Sequence, residues 1–448
     1  MGATPSKKHY DAIVIGAGPA GTAAALTIAR GGMEPLLIER GVRPGAKNIF
    51  GGQIYRQATE KIIPGFTKEA PLERPVNRMT KYLITAKSYV GIDFAATTFR
   101  HEPDRFVSTR ARFDPWFATQ AVNAGAELLT GTTVMDVLKE KTVKGRQSKG
   151  KGQGQERVVG VKTDDGTEIS ADTVIIAEGV YPYLGVKAGL VKEPLDVNDF
   201  GLYAKEVLAL PAEVVEERMG LHPGEGAILS YAGYTTYDLV GASAIFTLRE
   251  GLTIVIGGLL SQMVAAGIGV DEMMTRFKTH PLIEPYIQGA TTLEYSAHMI
   301  PQGGYNAVPQ LYGDGVMICG DAAQLVNAKE GTNLAMKSGQ VAGEVYLNAK
   351  KRGDFSEMGL GDYGDKLANT FVMKDLRTNA GVAGFYKKHP EVEEYWIGTL
   401  NEIMQTLIVS GSNLTTDKRR KVRKLILQGQ PITKSIRQGI DAFRASWF

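Results

Sequence analysis

The chain has 448 residues, enough for two or three domains or one multi-lobed unit, and its apolar (43 %) and charged (22 %) fractions are those of a soluble protein. A formal net charge of only +3, without RNP or zinc-finger patterns, argues against nucleic-acid binding. The single cysteine, Cys319, excludes an intrachain disulfide and a four-cysteine iron–sulfur cluster, and the six scattered histidines predict no metal site. The polar N-terminus shows no secretory signal, so we expect a cytoplasmic protein.

The segment 10–40 carries the clearest motif. The β-branched run Asp11–Ile15 predicts a buried parallel strand, G-x-G-x-x-G and an Ala/Leu-rich helix follow, and a second strand ends at Glu39. In this pattern the glycines permit a tight turn, approach of the backbone to a pyrophosphate, and close helix–strand packing, while the helix N-terminus binds phosphate and the acid binds ribose. We therefore predict a dinucleotide site that includes Gly16, Gly18, Pro19, Ala20, Gly21, Glu39 and Arg40.

The next segments mix loops with α/β elements. Gly51 and Gly52 lie in a glycine-rich loop that is either a surface turn or a backbone segment flat against a cofactor ring. Asp114–Pro115 predict a helix start, with a cap and an N1 proline, and Gly125 its end. Further strands are predicted at 126–131, 133–138, 157–163 and 172–177, and the polar run 144–157 reads as a hairpin tip.

From about residue 199 to residue 301 the pattern of apolar and polar residues changes. Longer alternating strands, including 200–210, 240–248 and 252–260, predict a second, antiparallel lobe. A buried run at Gly315–Cys319 then precedes a predicted helix, Thr332–Lys350, and the remaining chain reads as mostly helical with a basic patch at Lys418–Lys424.

The stretch Gly251–Val270 has no charged residue over 20 positions, which is long enough for a transmembrane helix. Its five glycines and β-branched start favour instead a strand, a loop and a helix start. An exposed apolar loop at a membrane interface remains an alternative, because loops of this kind are seldom left in water.

Taken in order, the fingerprint, R-x-x-F-D at Arg110, the strand that ends near Gly179 and the strand that ends in Gly320–Asp321 resemble the FAD oxidoreductases of the glutathione-reductase superfamily. The resemblance implies an α/β fold: a Rossmann-like FAD-binding domain with an inserted antiparallel substrate domain and a helical C-terminal region. It implies that Asp321 holds the ribityl chain and that Arg110 contacts the FAD phosphates or the flavin edge. The remaining FAD contacts it implies are Val134, Gly179, Gly320, Gly331, Thr332 and Asn333.

Within that superfamily, residues 45–66, 277–323 and 329–344 resemble the electron-transfer-flavoprotein:quinone oxidoreductases, and most of all the FixC (EtfC) subunits of electron-bifurcating FixABCX (EtfABCX) complexes. Larger single-chain members carry a cysteine-rich cluster domain, which a chain with one cysteine lacks. The resemblance therefore implies an iron–sulfur cluster on a ferredoxin-like FixX (EtfX) partner. The pattern after the strand departs from the family and reads Glu178-Gly179-Val180.

The activity that the resemblance implies is electron transfer from the α and β subunits of an electron-transfer flavoprotein, through FAD, to a membrane quinone at the inner face of the cell membrane. It points to Gly241 and Ala242 as quinone contacts, although a plain strand explains them equally well. His298 and Tyr305 could relay protons to the quinone, but single residues of this kind are more often structural. We propose no other catalytic residue.

The implied domains are an FAD-binding domain (1–50, 101–195 and 302–352), a quinone domain (51–100 and 196–301) and a helical partner-docking tail (353–448). Two rival functions remain open. A geranylgeranyl-reductase-type FAD enzyme would share the architecture and act on an isoprenoid lipid, and a flavin-bearing scaffold subunit would have no turnover of its own.

Overall fold

The computed structural model describes residues 4–46, 52–141, 156–192, 195–327, 330–389, 391–409, 415–428 and 430–444. Its strands are β1 (His9–Ile15), β2 (Pro35–Glu39), β3 (Gln53–Tyr55), β4 (Val76–Ile84), β5 (Tyr89–Ala95), β6 (Arg105–Val107), β7 (Glu127–Thr130), β8 (Val134–Lys141), β9 (Glu156–Thr163), β10 (Glu168–Ile176), β11 (Phe200–Ala209), β12 (Gly226–Gly233), β13 (Gly241–Leu248), β14 (Gly251–Leu259), β15 (Thr291–Pro301), β16 (Tyr312–Gly313) and β17 (Val316–Ile318).

The α-helices are α1 (Pro19–Arg30), α2 (Arg56–Glu60), α3 (Thr98–His101), α4 (Arg110–Asn123), α5 (Tyr183–Lys187), α6 (Ala212–Met219), α7 (Leu260–Ala266), α8 (Val270–Lys278), α9 (Glu284–Ile287), α10 (Thr332–Arg352), α11 (Glu357–Leu360), α12 (Asp362–Ala368), α13 (Phe371–Thr378), α14 (Val382–Lys388), α15 (Val392–Ile408), α16 (Thr415–Gln428) and α17 (Ile432–Arg444).

The chain forms two compact units. Unit 1 consists of Met1–Leu72, Ser108–Asp199 and Pro301–Arg377, and unit 2 of Glu73–Val107, Phe200–Ile300 and Thr378–Phe448. The C-terminal region is helical, as expected, but it is divided between the units rather than set apart from them.

Unit 1 contains an eight-stranded sheet whose main path is β16-β17-β10-β1-β2-β7. The strands from β17 to β7 are parallel, and β1 is central, with Ile13 opposite Val174 on one side and Leu36 on the other. Because β1 and β2 are covered on both faces, they are nearly continuous apolar runs, which is the pattern of a buried parallel strand. The antiparallel hairpin β8–β9 extends this sheet from β10.

Helices α1 and α10 pack against each other with almost no side chain between them. A Cβ atom added at Gly339 would lie 1.9 Å from the carbonyl oxygen of Ala20, and one added at Gly343 would lie 2.9 Å from that of Ala24. This close approach brings the N-terminal ends of two long helices to one region of unit 1, beside the carboxyl ends of the parallel strands.

Helix α4 begins five residues earlier than the sequence predicts, so the expectation of a helix start at Asp114–Pro115 is wrong. The helix runs from Arg110, after Thr109 in an extended conformation, and Pro115 lies inside it. A proline inside a helix leaves the carbonyl group four residues earlier without its usual donor. Here that group belongs to Ala111, and Arg43 Nη1 donates a hydrogen bond to it at 2.6 Å.

Unit 2 is built on a seven-stranded sheet of order β15-β11-β14-β13-β12-β4-β5. The predicted antiparallel strands are confirmed at β11, β13 and β14, whereas β4 joins the sheet by parallel pairing with β12. Helix α8 covers this sheet with Met273 and Phe277, which are fully buried in its core beside Ile254 and Ile256.

The uncharged stretch Gly251–Val270 is divided among β14, α7 and the first residue of α8, close to the predicted strand, loop and helix start. Strand β14 is buried, but Val264 in α7 is 68 % exposed. Among the helices that the structure describes, none combines the length and the apolar character needed to cross a membrane.

Candidate functional site

The turn between β1 and α1 can be made only with glycine at two positions. Gly16 has φ +99°, and a Cβ atom there would lie 2.3 Å from the carbonyl oxygen of Ala177 at the end of β10. A Cβ atom at Gly21 would lie 1.9 Å from the carbonyl oxygen of Gly16. The turn is therefore as tight as the fingerprint predicts, and it lies at the carboxyl ends of two adjacent parallel strands.

The N-terminus of α1 is open to an anion. Gly18 is extended, Pro19 occupies the first turn, and no side chain of the described residues caps the helix. Since the first N–H groups of a helix lack partners within it, they are available to a phosphate group, and the helix dipole favours negative charge there. A terminal nitrogen of Arg110 lies 3.7 Å from the Cβ position at Gly18, which adds a cation at this end of the helix.

Arg110 is held in place by Asp114, one helical turn further along α4. Arg110 Nε donates to Asp114 Oδ1 at 2.5 Å and Arg110 Nη2 to Asp114 Oδ2 at 2.7 Å, and both side chains are buried. A bidentate pair of this kind fixes the plane of the guanidinium group. The sequence predicts a capping role for Asp114, but in the structure its carboxylate orients the arginine.

Glu39 is buried at the end of β2, where its carboxylate joins two turns. Oε2 accepts a hydrogen bond from the N–H of Ala17 at 3.0 Å, and Oε1 accepts one from the N–H of Gly41 at 2.7 Å. The residue thus lies beside the glycine turn, as predicted, and it also stabilises that turn. Its contact with a ribose stays a prediction.

Glu178 follows β10 and was not among the predicted contacts. Its carboxylate accepts hydrogen bonds from the N–H groups of Leu184 and Gly185, both at 2.9 Å, and so caps α5. Burial raises the pKa of Glu178 to about 7, although these hydrogen bonds and the positive charge of Arg40 oppose the shift. Gly179, next in the chain, has φ +91° with open space around its Cβ position among the described residues. Val134, another predicted FAD contact, is buried at the start of β8.

Gly320 and Asp321 begin a 3-10 helix directly after β17. The N–H of Gly320 donates to Ser338 Oγ at 3.0 Å, and a Cβ atom at Gly320 would lie 2.7 Å from that of Ala20. The segment is therefore fixed against both α10 and α1. Burial raises the pKa of Asp321, and the nearby positive charge of Arg110 offsets part of that shift. The structure thus brings Asp321 and Arg110 within electrostatic reach of each other.

The N-terminus of α10 and the end of the 3-10 helix 320–323 each contribute one unsatisfied polar atom. The helix begins at Thr332 after Gly331, and no side chain of the described residues caps it. Asn333 Oδ1 and Gln324 Oε1 are buried without a hydrogen-bond partner in the described part of the chain. Such atoms are costly unless something satisfies them, so they indicate a place for a polar ligand.

These features fit a flavin dinucleotide. The diphosphate and sugar portions suit the glycine turn, the uncapped end of α1, the positioned arginine and the aspartate that follows β17. The polar edge of the flavin ring suits the buried oxygen atoms of Asn333 and Gln324 that lack a hydrogen-bond partner in the described part of the chain. Of the two loop glycines, Gly51 lies outside the described residues, while the carbonyl oxygen of Gly52 accepts a hydrogen bond from the N–H of Ser108 at 3.2 Å.

The residues predicted to contact the quinone, or to relay protons to it, belong to other elements. Gly241 and Ala242 are the first two residues of β13, opposite Gly258 and Gly257 of β14. His298 belongs to β15 in unit 2, and Tyr305 to a 3-10 helix in unit 1, where its hydroxyl group accepts a hydrogen bond from Arg377 Nε at 3.2 Å.

Comparisons with known proteins identify the family of this chain. Residues 10–194 match the family model "Pyridine nucleotide-disulphide oxidoreductase". The protein FixC of Bradyrhizobium diazoefficiens is 40 % identical over 391 residues, 86 % of each chain, and FixC of Azotobacter vinelandii is 38 % identical over 422 residues, 93 % of this chain and 94 % of its own. The chain belongs to the FixC family. A further relative, 37 % identical over 83 % of this chain and 84 % of its own, is the probable electron transfer flavoprotein-quinone oxidoreductase YdiS of Escherichia coli.

Solved structures show the same fold. A geranylgeranyl bacteriochlorophyll reductase-like protein of Thermoplasma acidophilum superposes with a TM-score of 0.68 at 20 % identity, over 93 % of this chain and 96 % of its own. The myxobacterial FAD-dependent halogenase CndH gives 0.60 at 20 % identity, over 81 % of this chain and 79 % of its own. The FAD-binding α/β fold predicted from the sequence is therefore confirmed, and this FixC-family chain is an FAD-dependent oxidoreductase of electron transfer.

When bound, FAD supplies the redox chemistry, and the protein supplies orientation, electrostatics and access. Two residues that position parts of the site were not predicted to do so from the sequence. Asp114 had a visible signal, since an acid four residues after an arginine lies on the same helix face. Ser338, which holds Gly320, had none, because only the tertiary fold brings α10 to that turn.

Proposed function

We propose that this chain carries electrons from an electron-transfer flavoprotein to a membrane quinone, as the quinone-reducing subunit of a larger, electron-bifurcating complex. The observation that carries the proposal is similarity over more than four-fifths of both chains to FixC proteins and to a probable electron transfer flavoprotein-quinone oxidoreductase. An alignment over 86 % of this chain is too long to be confined to unit 1, so the similarity covers more than a shared cofactor site.

The proposed partners are the α and β subunits of the flavoprotein and a ferredoxin-like FixX chain that bears the iron–sulfur cluster. The one cysteine of this chain, Cys319, is buried, and burial raises the pKa of its thiol to about 12. A thiol that stays protonated is a poor metal ligand. We therefore place any cluster on the partner chain, with the assembly at the inner face of the cell membrane.

The proposed quinone contacts are Gly241 and Ala242. Together with Gly257 and Gly258 on the neighbouring strand they form a patch in which no side chain is larger than a methyl group. Such a patch lets a planar ring lie against the backbone, which supports the proposal. A Cβ atom at Gly241 would also lie 2.2 Å from the carbonyl oxygen of Gly257, so strand pairing alone requires glycine there. Ala242 is exposed and is the more informative position to change.

The test uses the purified, FAD-loaded chain under anaerobic conditions. The flavin is first reduced with dithionite and then mixed with a soluble short-chain quinone, and the return of its visible absorbance is followed. We expect reoxidation by the quinone, and slower reoxidation after Ala242→Trp, with unchanged FAD content. A matched change at Ala95, exposed on β5, should leave the rate unaltered.

Two results would overturn the proposal. If no quinone reoxidises the flavin, with or without a flavoprotein partner, the chain is a scaffold subunit. If the chain alone reduces isoprenoid double bonds, it is a geranylgeranyl-reductase-type enzyme, the rival that shares this fold.

A further inference from the structure

Helix α17 is amphipathic, but it turns its polar face to its own unit and its apolar face to solvent. Its polar face is turned inward: Gln438 is 2 % exposed, accepts a hydrogen bond from Trp396 Nε1 at 3.1 Å and donates one to Glu391 Oε1 at 3.0 Å. Asp441, close by on the helix, pairs with Lys388 at 2.6 Å and His389 at 2.9 Å. Hydrogen bonds and ion pairs, rather than apolar packing, thus hold this side of α17 to its unit.

The opposite side of α17 presents an apolar stripe to solvent. Ile432, Ile436 and Ile440 recur every four residues and are 52 %, 57 % and 48 % exposed. A surface helix of a globular protein normally turns such a stripe to the core. Because this helix does the reverse, its outer face is built to contact something other than its own unit.

The stripe continues onto the neighbouring helices. The end of α15 and the end of α16 line one groove with the start of α17, and Lys418 Nζ donates a hydrogen bond to the carbonyl oxygen of Leu407 at 3.3 Å, which joins α16 to α15. We call the following exposed residues the apolar face: Leu407, Ile408, Val409, Ile426, Leu427, Ile432, Ile436 and Ile440.

The surroundings of the apolar face are strongly basic. Residues 415–444, which include α16 and α17, contain nine Lys and Arg residues but only two Asp residues, and one aromatic residue, Phe443. The side chains of Lys421, Arg423 and Lys424 are exposed on α16, and the acid Asp441 is already paired. Protein interfaces are enriched in aromatic residues and depleted of lysine at their centre. Aliphatic residues bordered by lysine and arginine are instead typical of helices that lie in the surface of an anionic membrane.

We infer that α16 and α17, with the end of α15, are a membrane anchor that inserts the apolar face into a leaflet of anionic lipid. The inference rests on the proposed function, in which the chain works at the inner face of the cell membrane, and it adds the surface and the lipid class. It also revises the expectation that the whole C-terminal tail docks partner chains: for its last two helices we propose lipid.

The test is sedimentation of the full FAD-loaded chain with vesicles of phosphatidylcholine, with and without phosphatidylglycerol. We expect binding only when phosphatidylglycerol is present, weakened when ionic strength rises from about 0.1 M to about 1 M. Changing Lys421, Arg423 and Lys424 to Gln should weaken binding on the order of 100-fold, since each cation near an anionic surface adds a similar increment. The matched control replaces three exposed lysines of unit 1, Lys61, Lys68 and Lys351, with Gln and should bind like the wild type.

A second pair of variants tests insertion rather than charge attraction. Ile436→Glu with Ile440→Glu should weaken binding by at least about tenfold, because the stripe no longer enters the apolar layer. Met358→Glu, at a residue 89 % exposed on α11, is the control and should have no effect.

Three outcomes overturn the anchor: no binding by the wild type, binding that none of these changes weakens, or variants that keep vesicle binding and lose co-purification with the flavoprotein. The last would assign the apolar face to a protein partner. All of these are distinct from failure of the proposed function, since reduction of a soluble short-chain quinone needs no membrane.

Discussion

Arg110 and Asp114 lie one turn apart in α4 and form a buried, bidentate ion pair with an Nε–Oδ1 distance of 2.5 Å. The arginine also lies beside Gly18, at the open end of α1. The pair therefore connects the stability of unit 1 to its affinity for the FAD diphosphate.

Asp114→Asn should lower both stability and FAD affinity. Breaking a buried ion pair costs roughly 3–5 kcal/mol, because the remaining charge has lost its partner. We expect a loss of that order in the free energy of unfolding of the apoprotein, measured in urea, together with weaker FAD binding by fluorescence titration. Asp104→Asn, which breaks the partly exposed pair with Arg105, should cost no more than about 1 kcal/mol. Equal effects of the two changes would contradict this.

Glu39→Gln should lower the stability of unit 1 and weaken FAD binding. One carboxylate oxygen holds the N–H of Ala17 and the other that of Gly41, and an amide can accept from only one of them without a clash. A hydrogen bond to a charged group contributes about 1.5–3 kcal/mol, so we expect a loss of that order in the free energy of unfolding of the apoprotein in urea, and weaker FAD binding by fluorescence titration because the turn is less well ordered. Glu60→Gln is the control, since Glu60 accepts from the N–H of Gly65 outside the site. If both variants bind FAD equally well, Glu39 does not shape this turn for the cofactor.

The local pattern of the sequence predicts β1, α1 and β2 because each element carries its own signal: a β-branched run, a glycine fingerprint and a terminal acid. The predicted start of α4 is wrong for a physical reason. Pro115 normally marks a first turn, but here the carbonyl oxygen of Ala111 finds a donor in Arg43, 68 residues earlier in the chain. That contact, like the parallel pairing of β4 with β12, exists only once distant segments have been brought together.

Gly339→Ala should strongly destabilise unit 1. The added Cβ atom would lie 1.9 Å from the carbonyl oxygen of Ala20, so α10 must move away from α1. Overpacking of this kind costs typically 1–3 kcal/mol, and more where backbone atoms clash, so we expect a loss of about 3 kcal/mol. Gly398→Ala in α15 adds the same methyl group in open space and should instead stabilise by up to about 1 kcal/mol. Thermal unfolding of both variants gives the comparison, and a stable Gly339→Ala protein that retains FAD would contradict the packing of α1 on α10.

Glu178 should make the protein less stable as pH rises. Burial raises its pKa from 4.5 to about 7, against the opposing effect of two backbone N–H groups and Arg40. Between those values the native state binds more protons than the unfolded state, so the free energy of unfolding falls with increasing pH, by at most about 1.4 kcal/mol per pH unit for one group. Above pH 7 this contribution is constant. In Glu178→Gln it is absent.

The measurement is the difference in free energy of unfolding between wild type and Glu178→Gln, from urea titrations at several pH values. We expect the wild type to lose stability relative to the variant between pH 4.5 and about 7, the window set by the raised pKa of Glu178. Glu393, whose burial also raises its pKa to about 7, is present in both proteins, so its effect cancels. Asp441→Asn serves as the control of opposite sign: hydrogen bonds from Lys388 and His389 lower the pKa of Asp441 to about 2, so the stability it contributes is lost only as pH falls from 3.8 towards 2. If the difference in free energy of unfolding between wild type and Glu178→Gln does not change with pH across this window, the pKa of Glu178 is the same in the folded and the unfolded protein, which would contradict the prediction.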